Sequence, residues 1–99
     1  MPKVLYINHE FAQCGVFQAG DRLGKALQKY QSKHEFNYHN VNSFESYANA
    51  FSSYQPDLVF ANFFPPTMGW FTKDAVSVTP VPVLSICHET YMLNDILDR

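Results

Sequence analysis

The sequence predicts an α/β fold: a single Rossmann-like domain over residues 1–99, three layers deep, with a parallel sheet of about four strands and helices on both faces. Three observations carry this reading. The apolar runs Val4-Leu5-Tyr6-Ile7, Leu58-Val59-Phe60-Ala61 and Val83-Leu84-Ser85-Ile86 are continuous rather than alternating, as in parallel strands covered on both faces. Between them lie stretches whose apolar residues recur at helical spacing. Turn residues separate the two kinds of segment: Gly15, then Gln55-Pro56-Asp57, then Pro80 and Pro82. The elements alternate β-α-β-α-β-α-β with one more helix at the end, and the usual doubly wound connection predicts the sheet order 3-2-1-4.

The first strand occupies Lys3 to Asn8. Val16, Gly20, Leu23, Leu27 and Tyr30 then form one stripe of a helix, with Asp21, Lys25, Gln28 and Lys29 on its solvent side. Gly20 and Gly24 each cost a helix about 1 kcal/mol relative to alanine, so they predict that helix and sheet approach closely there. His34 to Val41 is the second strand. Asn42 or Ser43 caps a helix from Phe44 to Tyr54 with Phe44, Tyr47, Ala48 and Phe51 on one face, and Pro56 ends it by excluding Gln55 from the α region. Leu58 to Ala61 forms the third strand. Asn62 to Trp70 is too proline-rich to begin as helix, and Thr67 is the candidate cap for a short third helix over Gly69 to Val78. The fourth strand is Val83 to Cys87, with Pro80 and Pro82 ahead of it, where a missing ladder donor matters least. Thr90 to Arg99 reads as a further helix with Met92, Leu93, Ile96 and Leu97 on one side.

Composition narrows the function classes. The chain is 46% hydrophobic, with nine Phe and six Tyr, which supplies a core and argues against disorder. Seven Lys plus Arg against nine Asp plus Glu, with no basic cluster, argues against a nucleic-acid partner. No apolar run has the length of a transmembrane segment, and Met1-Pro2-Lys3-Val4 enters a strand without a signal-peptide pattern, so a cytoplasmic location is expected. Cys14 and Cys87 form no C-x-x-C pair and are expected as free thiols.

In a 3-2-1-4 sheet strands 1 and 4 are neighbours, so the loop Asn8 to Gly15 and the segment Cys87-His88-Glu89 would share one crevice. The amides of Gly15, Val16 and Phe17 open a helix, where an anion is favoured. Gly15 reads either as a phosphate seat or as the tight turn between strand and helix. No G-x-G-x-x-G or P-loop pattern is present, and a cysteine-phosphatase loop would need arginine where Gly20 stands. His88 at a strand end reads as a hydrogen-bonding structural residue or as a group that orients a sugar or moves a proton. His9-Glu10 and His88-Glu89 together could ligate a metal, but their spacing within each loop is not diagnostic, and no metal is expected. Phe63, Phe64 and Trp70 read as core or partner surface, with a stacking platform as the alternative.

Lys3-Val4-Leu5-Tyr6-Ile7, the loop closing on Cys14-Gly15-Val16-Phe17, Gln55-Pro56-Asp57-Leu58-Val59-Phe60 and Pro82-Val83-Leu84-Ser85-Ile86-Cys87-His88-Glu89 together resemble the N-terminal half of a GT-B glycosyltransferase of the retaining, nucleotide-sugar-dependent kind. The resemblance spans nearly the whole chain in order and spacing. It implies an acceptor-side domain, half of a two-domain architecture and inactive alone. Gly15 and Val16 would face the donor's phosphates and His88 the reaction centre, while His9, Glu10, Asn62 and Glu89 are candidates for acceptor binding. The implied co-substrate is a nucleotide-sugar, and the implied partners are a glycan acceptor and a donor-binding domain or partner chain. Two departures stand out: Cys14-Gly15 replaces the pair of glycines many members show, and no paired-glutamate donor domain follows. The alternative is a non-enzymatic flavodoxin-like module for ligand binding or protein interaction. In either case strands 3 and 4 would be sheet edges, and self-association through an apolar edge is expected.

Overall fold

A computed structural model describes residues 2–10, 15–29, 33–63 and 68–86. In chain order these form β1 (Lys3–Asn8), α1 (Gly15–Lys29), β2 (Glu35–Asn40), α2 (Phe44–Tyr54), β3 (Leu58–Asn62), α3 (Lys73–Ser77) and β4 (Val83–Ile86). The four strands make one parallel sheet, so the α/β class and the layered arrangement stand as expected. Cys14, Thr67, Cys87, His88, Glu89 and the expected helix over 90–99 lie outside the described residues.

The strand order is β2-β1-β3-β4, not 3-2-1-4. The correction has a physical reason in burial. β1 and β3 carry the continuous apolar runs, and Val4, Leu5, Tyr6, Ile7, Val59 and Ala61 are all buried. Order 3-2-1-4 would have left β3 at an edge. β2, by contrast, alternates Glu35, Asn37 and His39 with Phe36 and Tyr38 and is half-buried over most of its length, which suits a flank. The edges are therefore β2 and β4 rather than β3 and β4.

Because the chain moves one way from β1 to β2 and the other way from β2 to β3, right-handed crossovers place α1 on one face and α2 and α3 on the other. Side chains follow the strand period. Leu5, Ile7, Val59 and Ala61 face Tyr47, Ala50, Met68 and Phe71 in the apolar core beneath α2 and α3. Tyr6, Asn8, Phe60 and Asn62 alternate with them, toward α1. The α1 interface is correspondingly polar: Tyr6 donates its hydroxyl to the Gly20 carbonyl at 2.9 Å. The two helix glycines make the close approach their presence predicts. A Cβ on Gly24 would stand 2.8 Å from Tyr38 ring carbons, and one on Gly20 would overlap the Asn62 amide. Leu23 and Leu27 of the expected stripe are half-buried.

α2 begins at Ser43, whose hydroxyl accepts the Ser46 amide while the Ser46 hydroxyl accepts the Ser43 amide in return. It ends where Gln55 turns left-handed at φ 54°. α3 is shorter than expected, Lys73–Ser77 in place of Gly69 to Val78. Thr72, not Thr67, caps it, because Met68-Gly69-Trp70-Phe71 closes a turn, Phe71 N–H to Met68 O at 2.9 Å, that buries Met68 and Phe71. Among the described residues no helix is long and apolar enough to cross a membrane.

Candidate functional site

The order in which the chain adds strands reverses between β1 and β3, so the crevice of this parallel sheet is bounded by the ends of those two strands. The expected pairing of the loop after strand 1 with the loop after strand 4 does not hold, since β3 sits between them. The register brings Ile7 level with Ala61, which puts Asn8 and Asn62 side by side at the two strand ends.

These asparagines build the site. Asn62 Nδ2 donates to Asn8 Oδ1 at 2.9 Å and to the Val16 carbonyl at 3.0 Å. Asn8 Nδ2 donates to the Phe17 carbonyl and to the Tyr38 hydroxyl, each at 3.1 Å, and Asn8 Oδ1 also accepts the His9 amide at 3.0 Å. Tyr38 in turn donates to Asp21 Oδ1 at 2.8 Å and accepts from Asn40 Nδ2 at 2.9 Å. Asn40 Nδ2 reaches the His9 carbonyl at 3.3 Å. The first turn of α1 is thus held by two side-chain amides anchored in the sheet, and a buried amide so bonded is rigid because any displacement strands it without water.

Asn8, His9 and Asn62 are fully buried, and the His9 ring meets the Phe17 ring edge-on at 5.7 Å. Among the sequence-predicted residues, His9 and Asn62 therefore act on the crevice through α1, while Gly15 and Glu10 are exposed and Val16 is half-buried. A Cβ on Gly15 would meet nothing within 4 Å, and the first turn of α1 has no acidic residue. The amides that open a helix have no acceptor within it, and with the helix dipole they favour an anion at this end of the crevice. Among the described residues no group of three His, Cys, Asp or Glu side chains gathers to hold a metal.

Ionisation supports the network. The Asp21 carboxyl is held below its ordinary range by hydrogen bonds from Lys25 and Tyr38, against a smaller opposing effect of burial. Lys25 Nζ lies 2.9 Å from Asp21 Oδ2. Burial raises the Tyr6 phenol, with the charges of Tyr38 and Asp21 adding to it, and burial likewise raises Tyr38. Both phenols stay neutral and can serve as donors.

Asn8, Tyr6, Tyr38 and Asp21 were not among the residues the sequence singled out. The available signal was the asparagine closing two apolar strands, Asn8 and Asn62, opposite a helix containing Gly20 and Gly24. No protein-family model, curated protein or solved structure matches the chain.

Proposed function

We propose that this chain is the N-terminal, acceptor-side domain of a GT-B-type glycosyltransferase that moves a sugar from a nucleotide-sugar donor to a glycan acceptor, and that it requires a donor-binding domain or partner chain for activity. One observation carries the reading: the exposed start of α1 at the β1–β3 crevice, open at Gly15, free of acidic residues in its first turn and fixed from below by Asn8 and Asn62. As the bond from sugar to nucleoside diphosphate breaks, negative charge grows on the leaving phosphates. Amides of Gly15, Val16 and Phe17 donate toward that charge, and a helix N-terminus contributes about 0.3–1 kcal/mol at an exposed site and up to about 2 kcal/mol when partly buried. His88 orients the sugar or acceptor in this proposal, with Glu10 and Glu89 as acceptor-binding groups. A cytoplasmic setting belongs to the same reading.

The test is calorimetric titration of the protein, paired with its donor domain, with UDP- and GDP-sugars. Gly15→Asp places a carboxylate where the phosphates would lie, and it is expected to weaken binding at least about tenfold, or 1.4 kcal/mol. Affinity unchanged by Gly15→Asp refutes the site. The strand order favours a second reading, because β2-β1-β3-β4 is the arrangement of flavodoxin-type domains. In that case the crevice binds a phosphorylated ligand without turnover, and no sugar is transferred in the presence of any partner chain.

A further inference from the structure

We propose that the groove between the starts of α2 and α3 binds a sugar ring, with Phe44 and Trp70 as its stacking walls and Asp74 and Thr72 as its hydroxyl partners. The groove has a volume of about 300 Å³ and is lined by Phe44, Trp70, Thr72, Asp74, Ala75 and Val78. Both helices begin at the carboxyl end of the strands, the end where open α/β sheets receive ligands.

The walls are apolar and open. Phe44 is 42% exposed and Val78 66%. Trp70 is held in place by Tyr47 and Phe71, each with its ring centroid 5.5 Å away, so the indole is a rigid surface. The indole N–H is buried and has no acceptor among the described residues. The polar groups of the groove keep hydrogen-bonding capacity. Asp74 makes no ion pair among the described residues. Thr72 Oγ1 accepts the Ala75 amide at 3.4 Å, which leaves its hydroxyl proton to donate.

This combination selects among occupants. A sugar ring offers an apolar C–H face to an aromatic wall and hydroxyls that both donate to a carboxylate and accept from a hydroxyl. An aliphatic side chain of a protein partner would cover Asp74 and Thr72 without hydrogen bonds, which is unfavourable. A phosphate would meet the Asp74 charge with no basic residue lining the groove.

The inference rests on the proposed glycosyl transfer for its role, that of an acceptor subsite. Binding itself is read without nucleotide and without Gly15, so failure of the donor site and failure of this groove are separate results. Trp70 is the chain's single tryptophan, and its emission reports the groove directly. The full chain is titrated with methyl β-glucopyranoside, methyl α-mannopyranoside and N-acetylglucosamine, with cyclohexylmethanol as a ring lacking the hydroxyl pattern. At least one sugar is expected to give a saturable change in Trp70 emission that cyclohexylmethanol does not give. Asp74→Ala and Phe44→Ala, each with an unchanged circular dichroism spectrum, are expected to weaken that response at least about fivefold. No response to any of the three sugars, an equal response to cyclohexylmethanol, or a sugar response that survives both substitutions overturns the proposal.

Discussion

Gly20→Ala tests whether the polar seam under α1 is as tight as its geometry implies. Two opposing effects decide the outcome. Alanine favours the helix by about 1 kcal/mol over glycine. Against this, the new Cβ would overlap Asn62 Nδ2 and lie 2.7 Å from Asn62 Cγ and 3.0 Å from Asn8 Nδ2. Asn62 is fully buried and bonded to Asn8 Oδ1 and the Val16 carbonyl, so it cannot swing aside without leaving both. Overpacking costs about 1–3 kcal/mol and a stranded buried amide about 1–3 kcal/mol more, so the net loss is about 3 kcal/mol. A domain of this size has a total stability of about 5–15 kcal/mol, which makes the effect large. Urea unfolding followed by Trp70 emission and by circular dichroism measures it. Asn62→Ala removes the atoms in the way, so Gly20→Ala made in that background should cost about 1 kcal/mol or less, a coupling of about 2–3 kcal/mol. If Gly20→Ala is neutral or stabilising in the native background, α1 does not sit on the asparagines as described.

The other predictions concern separate features. Ser43→Ala removes the cap of α2 and should lower stability by about 1 kcal/mol in the same urea assay. Gln55→Gly relieves a left-handed backbone at φ 54° and should raise stability by about 1 kcal/mol, with the midpoint shifting and the slope unchanged. Tyr6 and Tyr38 have raised phenol pKa values in the fold, so their contribution is complete below the unfolded value near 10 and is lost as pH rises through the folded values, at up to about 1.4 kcal/mol per pH unit for the buried Tyr6 and less for the more exposed Tyr38. Alkaline unfolding should therefore steepen above about pH 10, and Tyr38→Phe should flatten it. Finally, the chain should self-associate through β4, and Leu84→Lys should shift sedimentation toward monomer; a monomer at all concentrations in the native chain contradicts this. β4 is the vulnerable flank because Gln28 Oε1 already accepts the outward Tyr38 amide on β2 at 2.6 Å, while Leu84 is 55% exposed.

Continuity of apolar residues made β1 and β3 legible from the sequence, and Ser43 with Gln55-Pro56 made the bounds of α2 legible, because these signals are local. Gly20 and Gly24 were informative for a different reason: glycine in a helix is costly enough to imply a neighbour, and that neighbour is Asn62 for one and Tyr38 for the other. α3 was misplaced because Gly69 and Trp70 form a turn stabilised by burial of Met68 and Phe71, a tertiary effect that residue spacing does not carry. The candidate site was half legible. Gly15 and Val16 follow from the start of the helix alone, but Asn62 could be joined to Asn8 only by knowing which strands are neighbours. The clue to that adjacency was present in β2, where Glu35, Asn37 and His39 mark a strand that tolerates a flank while Leu58 to Ala61 does not. Once β3 is placed beside β1, the level pairing of Ile7 with Ala61 sets Asn8 against Asn62, and Gly20 becomes the residue that lets α1 come down onto both. Strand order, more than any motif, thus decides which side chains can shape the crevice, and it moves the partner of the first loop from β4 to β3.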